Sequence, residues 1–169
     1  MTLLYLVRHG ETKDNARCIM QGHAQGELNE EGIKQARALA EKLADEPIDV
    51  FVASDLKRAI DTCTILAEPH GKDVVTTQLL RERDWGSFTG RYIPDLKNAV
   101  WPDDVEPLDK LLERARLFLK FISDNYPEKK VLAVGHGIVN KAIQAVYYDK
   151  SMKDLEKMGN CEVRKLKLE

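Results

Sequence analysis

Short apolar runs alternate with amphipathic helical stretches along the whole chain, and this alternation restricts the fold more than any other feature. Leu3-Leu4-Tyr5-Leu6-Val7 and Val131–Val134 are too short for helices and read as buried strands, and Asp49–Ala53 and Val74-Val75 read as two further short strands. Between them, Asn29 can cap a helix starting near Glu30, where Ile33, Ala36, Ala40, Leu43 and Ala44 recur at helical spacing until Pro47. Ser54-Asp55 is placed to cap a second helix with Ala59, Ile60, Cys63 and Ala67 facing inward and Pro69 at its end. Leu108, Leu111, Leu112, Ala115, Phe118, Leu119 and Ile122 mark a third, stopped by Tyr126-Pro127. Gly135-His136-Gly137 leads into a fourth, ending near Tyr148. The tail from Cys161 to Leu168 alternates apolar and charged residues, as an edge strand with one wet face does. The pattern predicts one α/β domain over residues 1–169, with a mostly parallel central sheet and helices on both faces. Between Trp85 and Pro107 the periodicity fails among Gly, Pro and aromatic residues, so a cap-like surface excursion is expected at about 85–107.

The overall charge limits what such a domain can bind. A formal net charge of −2 gives the molecule no general attraction to nucleic acid or to an anionic membrane, so neither is an expected partner. Any anionic ligand must instead be held by a local cluster of cations. Cys18, Cys63 and Cys161 are scattered and odd in number, and no C-x-x-C pair is present; reduced thiols in a cytoplasmic protein are expected. The run Leu3–Val7 is broken by Arg8, short of the roughly 7–15 residues of a secretory apolar region, and no stretch approaches the ~20 of a membrane span.

In open α/β sheets, ligands bind beyond the carboxyl ends of the strands. His9 follows the first strand and His136 the fourth, each with a glycine after it that lets backbone approach a ligand. Arg8 precedes His9, and Arg58 lies near the start of the helix after the second strand. Convergence of these four side chains would make a cationic spot suited to a phosphate, whose oxygens match the guanidinium fork. Zinc is the rival reading, since histidine is a common ligand, but no H-E-x-x-H run supplies the three ligands that a catalytic site needs. No metal and no cofactor are expected. His23 and His70 lie in loop-like segments and read as solvated surface residues.

Arg8-His9-Gly10-Glu11-Thr12 resembles the R-H-G-E-T signature of the histidine phosphatase superfamily, also called phosphoglycerate mutase-like. The similarity continues in family order through Asn15, Gln21-Gly22, Leu28, Gly32-x-x-Gln35-Ala36 and Ser54-Asp55-Leu56-x-Arg58-Ala59-x-x-Thr62. It resumes in Leu80-Arg81-Glu82-x-x-x-Gly86, Gly135-His136-Gly137 and Asn160-Cys161-x-Val163, and so spans nearly the whole chain. The resemblance implies that His9 is a nucleophile that becomes phosphohistidine and that Arg8, Arg58 and His136 hold the phosphoryl oxygens. It implies further that Asn15, Gln21, Gly22 and Gly137 shape the substrate site, and that Glu82 is the proton donor. The chain departs from the family pattern at Asp14, Ile19, Thr89 and Gly135, where an aromatic, an arginine, an acidic residue and a serine are frequent.

A small phosphorylated substrate follows from this resemblance, and three activities are compatible with it. The bisphosphoglycerate-dependent mutases are similar in their core but carry a longer insertion with basic residues. Here Gly90–Pro107 is short, a reduced cap, and acidic at Asp103, Asp104 and Glu106; Ile138 stands where mutases carry asparagine. A phospho-ligand binding module without catalysis would have lost the nucleophile or the donor, yet His9 and Glu82 are both present. The expectation is therefore a metal-independent phosphoric monoester hydrolase.

Overall fold

The computed structural model describes all residues, Met1–Glu169. Five strands, β1 (Thr2–Arg8), β2 (Val50–Ser54), β3 (Val74–Thr77), β4 (Lys130–Gly135) and β5 (Val163–Leu168), form one sheet in the order β3-β2-β4-β1-β5. The pairs β1/β4, β2/β4 and β2/β3 are parallel, and β5 runs antiparallel along β1 at the edge. The expected α/β class and edge strand are both realised.

The sheet is covered on both faces, which is why its inner strands are apolar without alternation. Successive side chains point to opposite faces. Leu4, Leu6, Val131 and Ala133 accordingly enter one core with Leu111, Phe118, Ile122 and Ile143 from α4 (Leu108–Asn125) and α5 (Gly137–Tyr148). Tyr5, Val7, Leu132 and Val134 enter the other, with Leu39 and Leu43 of α2 (Glu30–Leu43) and Cys63 and Leu66 of α3 (Lys57–Ala67). Asn29 caps α2 through a 2.8 Å bond from the Gly32 N–H to its side chain. The polar segment after β1 holds an unanticipated short helix, α1 (Lys13–Arg17), closed by a Thr12/Asn15 capping box.

The second predicted cap is corrected. Leu56, not Ser54 or Asp55, is the N-cap of α3, and no side chain caps it. Asp55 is engaged elsewhere, in a paired 2.7 Å contact with the Arg81 guanidinium, and Ser54 Oγ lies 2.9 Å from His136 Nε2. Competing tertiary partners took both side chains. The excursion at 85–107 is a small layer of its own, in which Phe88, Leu96 and Val105 pack with Trp85 and Met20. No helix of the chain is long and apolar enough to cross a membrane.

Candidate active site

Three adjacent parallel strands deliver the predicted residues to one edge of the sheet. Arg8 and Gly135 are register partners at the ends of β1 and β4, so His9 and His136 follow side by side, with ring centroids 5.0 Å apart. Beside them, β2 ends at Ser54 and α3 brings in Arg58, which is 1% exposed. A cavity of about 200 Å³ is lined by Arg8, His9, Asn15, Gln21, Gly22, Arg58, Glu82 and Gly137, that is, by all the expected residues except the fully buried His136.

Each cation is aimed by backbone carbonyls. Arg58 Nη2 donates to Gly22 O at 2.8 Å, and Nη1 donates to Ala24 O and Gln25 O. Its Nε is buried without a partner, and so is that of Arg8, whose Nη1 donates to Met158 O at 2.8 Å. Buried donors of this kind cost free energy unless an acceptor reaches them. His136 Nδ1 is a third unpaired buried atom at the same place. Gln21 and Asn15 are tied to Thr12: the Thr12 hydroxyl donates to Gln21 Oε1 at 3.0 Å, and the Thr12 N–H donates to Asn15 Oδ1 at 3.1 Å.

His9 is held in one tautomer. Its Nδ1–H donates to Gly10 O at 2.7 Å, which leaves Nε2 as the unprotonated nitrogen. Burial, then the Arg58 charge, with further contributions from Arg8 and Lys157, push its pKa down to about 3 against a pull upward by the Gly10 carbonyl. His136 is driven down for the same first two reasons. Both rings are therefore neutral at physiological pH, as a nucleophilic nitrogen must be.

Glu82 is not the solvated acid, paired with Arg81 or Arg83, that its sequence neighbours allow. Arg81 is committed to Asp55, and Arg83 donates to Glu106 O while its guanidinium lies 5.1 Å from the centres of both Trp85 and Trp101. The Glu82 carboxylate instead accepts backbone N–H bonds at the start of α5, Oε1 from Val139 (2.9 Å) and Oε2 from Ile138 (3.0 Å), with Arg83 N–H also on Oε1. A negative group at a helix N-terminus is favourable for both the free N–H groups and the dipole. His23 corrects another expectation: its Nε2–H donates to Glu82 O at 2.8 Å, so it is a tether and not a solvated side chain. Arg114, paired with Glu106 at 2.7 Å, adds bonds to Leu79 O and Arg81 O on the same segment. His70 packs its ring 5.1 Å from that of Phe51.

Residues 4–169 match the model of the histidine phosphatase superfamily (branch 1). The chain belongs to this superfamily. Among similar proteins, it is 35% identical over 98% of its length to phosphoglycerate mutase-like protein 4 of Arabidopsis thaliana, covering 79% of that protein. It is 37% identical to the metal-independent phosphoserine phosphatase of the same plant, over 85% of this chain and 67% of that one. A mycobacterial glucosyl-3-phosphoglycerate phosphatase, solved with VO3, superposes with a TM-score of 0.89 at 30% identity, covering 98% of this chain and 92% of its own. Phosphatases and mutase-like proteins thus both stand among its relatives.

For this histidine phosphatase superfamily member, two family departures have structural consequences. At Gly135, where serine is frequent, a Cβ would lie 2.2 Å from the Asn140 side-chain oxygen, so a serine there requires Asn140 to shift. Ile19, where arginine is common, joins Met20, Trp85, Ile93 and Ile138 in an apolar half of the cavity wall. Sequence reasoning missed that wall except for Ile19 and Ile138, and it missed Lys157, which also lines the cavity. Lys157 sits in a polar stretch after α5 that reads as solvated, and no local signal marks it.

The depressed His9 pKa predicts an acid-sensitive fold. The unfolded chain takes a proton near pH 6.5 and the folded site only near 3, so stability is complete above about 6.5 and falls as pH drops toward 3. The melting temperature of His9→Ala should fall less steeply over that window than that of the parent chain, as measured by circular dichroism. A parallel decline in both would remove His9 from the acid response.

Proposed function

We propose that this protein hydrolyses a phosphate monoester through a phosphohistidine on His9. The observation that carries the reading is the His9 ring, held by Gly10 O with Nε2 left free beside Arg8, Arg58 and His136. In the first step, Nε2 attacks phosphorus and the ester P–O bond breaks. The charge spread over the equatorial oxygens is met by Arg8, Arg58 and His136, donors already in place and needing no reorganisation. If the Ser54 hydroxyl donates to His136 Nε2, the single proton of the neutral ring resides on Nδ1, which then donates to a phosphoryl oxygen.

Glu82 supplies the proton to the leaving oxygen. Oε1 already accepts two N–H bonds and Oε2 one, so Oε2 has the lone pair to carry the proton. In the second step, the carboxylate takes a proton from water as the water oxygen attacks phosphorus, the P–N bond breaks, and phosphate leaves. Gly22 and Gln21 hold the loop that aims Arg58, while Asn15 and Gly137 border the substrate. No metal enters these steps. Relatives named for phosphoserine and for glucosyl-3-phosphoglycerate support a small phosphorylated substrate for this chain.

Hydrolysis is favoured over mutase chemistry because the Gly90–Pro107 segment is short and carries Asp103, Asp104 and Glu106, a charge ill suited to a second acidic group, while Arg83 beside it donates Nε to Glu106 O and lies against two indoles. Brief reaction with a labelled monoester should put acid-labile, base-stable label on His9, and turnover should persist in excess EDTA. Given 3-phosphoglycerate and catalytic 2,3-bisphosphoglycerate, the protein should release inorganic phosphate. Label on serine or cysteine, or activity lost to the chelator and restored by zinc or magnesium, would refute the mechanism. Isomerisation without phosphate release would make it a mutase.

A further inference from the structure

The Gly32-x-x-Gln35-Ala36 run lies outside the cavity, yet its polar member reaches the loop that carries His9. Gln35 is half-buried on α2, and its side chain makes one hydrogen bond in the protein, accepting the Glu11 N–H on Oε1 at 2.8 Å. That N–H belongs to the same peptide group as the Gly10 carbonyl, which accepts the His9 Nδ1–H at 2.7 Å. A trans peptide is planar, and its C=O and N–H point in opposite directions. Whatever fixes the direction of the Glu11 N–H therefore fixes the carbonyl that holds His9.

The first turn of α2 is seated for this contact. A Cβ at Gly32 would lie 2.0 Å from Glu11 O, and one at Gly10 would lie 2.6 Å from Gly32 O, so backbone meets backbone with no side chain between. Asn29 adds two bonds to Glu11, its N–H to Glu11 O at 3.1 Å and its Nδ2 to Glu11 Oε1 at 2.8 Å. Gln35 follows Gly32 by three residues and so projects from the same face of the helix. The Gly10 N–H is taken by Thr62 Oγ1 at 3.1 Å, so the peptide beyond it has only Gln35 and His9 as its partners. We infer that Gln35 is a positioning residue that holds the His9 ring, through the Gly10–Glu11 peptide, in the tautomer with Nε2 free. A carbonyl whose own peptide N–H is hydrogen-bonded is also polarised into a better acceptor. Without the Gln35 oxygen the peptide is free to tilt, Nδ1 loses its acceptor, and the ring proton is free to move to Nε2, where it blocks attack on phosphorus. The catalytic consequence rests on the phosphohistidine reading; the hold on the ring does not.

The test reads the ring and the reaction separately in the full-length protein. NMR of nitrogen-labelled histidine, with His9 assigned by its absence from His9→Ala, reports the tautomer, and the parent ring should carry its proton on Nδ1. Gln35→Met keeps the length of the side chain and removes the acceptor. In that variant the Nδ1–H should exchange with water roughly 5- to 100-fold faster, the scale of one lost hydrogen bond. Single-turnover phosphorylation of His9 by para-nitrophenyl phosphate should slow by a similar factor. The Kd of butylphosphonate, measured by calorimetry, should stay within about threefold, because Arg8, Arg58 and His136 are untouched. Gln35→Glu keeps an oxygen at that position and should recover most of both losses. Gln35→Ala, a good helix former without an acceptor, should repeat the methionine result and replaces it if that variant does not fold. A lower melting temperature with an unchanged ring proton and unchanged phosphorylation would overturn the inference. An equal loss in butylphosphonate binding would overturn it as well, since the whole pocket would then have given way. If the ring proton responds as expected but the parent chain forms no phosphohistidine, the phosphatase reading fails and the hold of Gln35 on His9 stands.

Discussion

Replacing His9 with alanine should lower turnover by about 10⁴-fold or more, the scale on which removal of a covalent nucleophile is felt. The two arginines and His136 would remain and should still bind a phosphate-bearing ligand, because the carbonyls that aim the arginines do not depend on His9. Phosphonate affinity should therefore survive within about tenfold while labelling disappears. The fold should persist with a modest loss of stability, since Gly10 O loses its partner and an unpaired buried carbonyl costs about 1–3 kcal/mol. Single-turnover kinetics with a labelled ester would check the result. A variant that kept a burst of covalent label would show that phosphorus is taken up by another side chain.

Glu82→Gln should show a divided effect. On esters of ordinary alcohols, the phosphorylation step should slow by roughly 10²–10⁴-fold, the usual contribution of a general acid. On para-nitrophenyl phosphate, whose leaving group departs without a proton, the loss in that step should be much smaller. Burst kinetics separate phosphorylation from water attack and so keep slow dephosphorylation from masking the contrast. The same substitution should lower thermal stability by about 1 kcal/mol, because an amide NH₂ in place of Oε2 would face the Ile138 N–H and weaken the cap of α5. Glu82→Asp distinguishes the two roles: its carboxylate keeps the charge at the helix terminus but shortens the reach toward the leaving oxygen. Equal losses on both leaving groups would make Glu82 a structural cap, with the acid to be sought elsewhere.

These two residues differ in how they could be read. His9 lies directly after a strand, in a sheet whose carboxyl edge is a general ligand site, and its neighbours in sequence are its neighbours in the site: Arg8 on one side and the Gly10 carbonyl on the other. Glu82 has no such local definition. Its carboxylate is fixed by the N–H groups of Ile138 and Val139, 56 and 57 residues away, and its carbonyl by His23, 59 residues away. Adjacent Arg81 and Arg83 offered nearer partners, and both were drawn off, by Asp55 and by the Glu106 carbonyl with two indoles. Family resemblance pointed to Glu82; its own surroundings in sequence did not.

The alternation of apolar runs and amphipathic stretches by itself determined the class of fold, the parallel sheet, the wet edge strand and the placement of His9 and His136 at one end. That information is local, because periodicity reports one element's burial without reference to its partners. The Ser54-Asp55 cap failed where a local preference met stronger distant partners, Arg81 and His136. Only the tertiary structure decided that His23 is a tether, that Glu82 sits on the end of α5, and that Lys157 lines the same cavity as Arg8 and His9. Each of these is a single polar side chain in an irregular segment. Such a residue leaves no periodic trace, and its role is set wholly by what the folded chain brings against it.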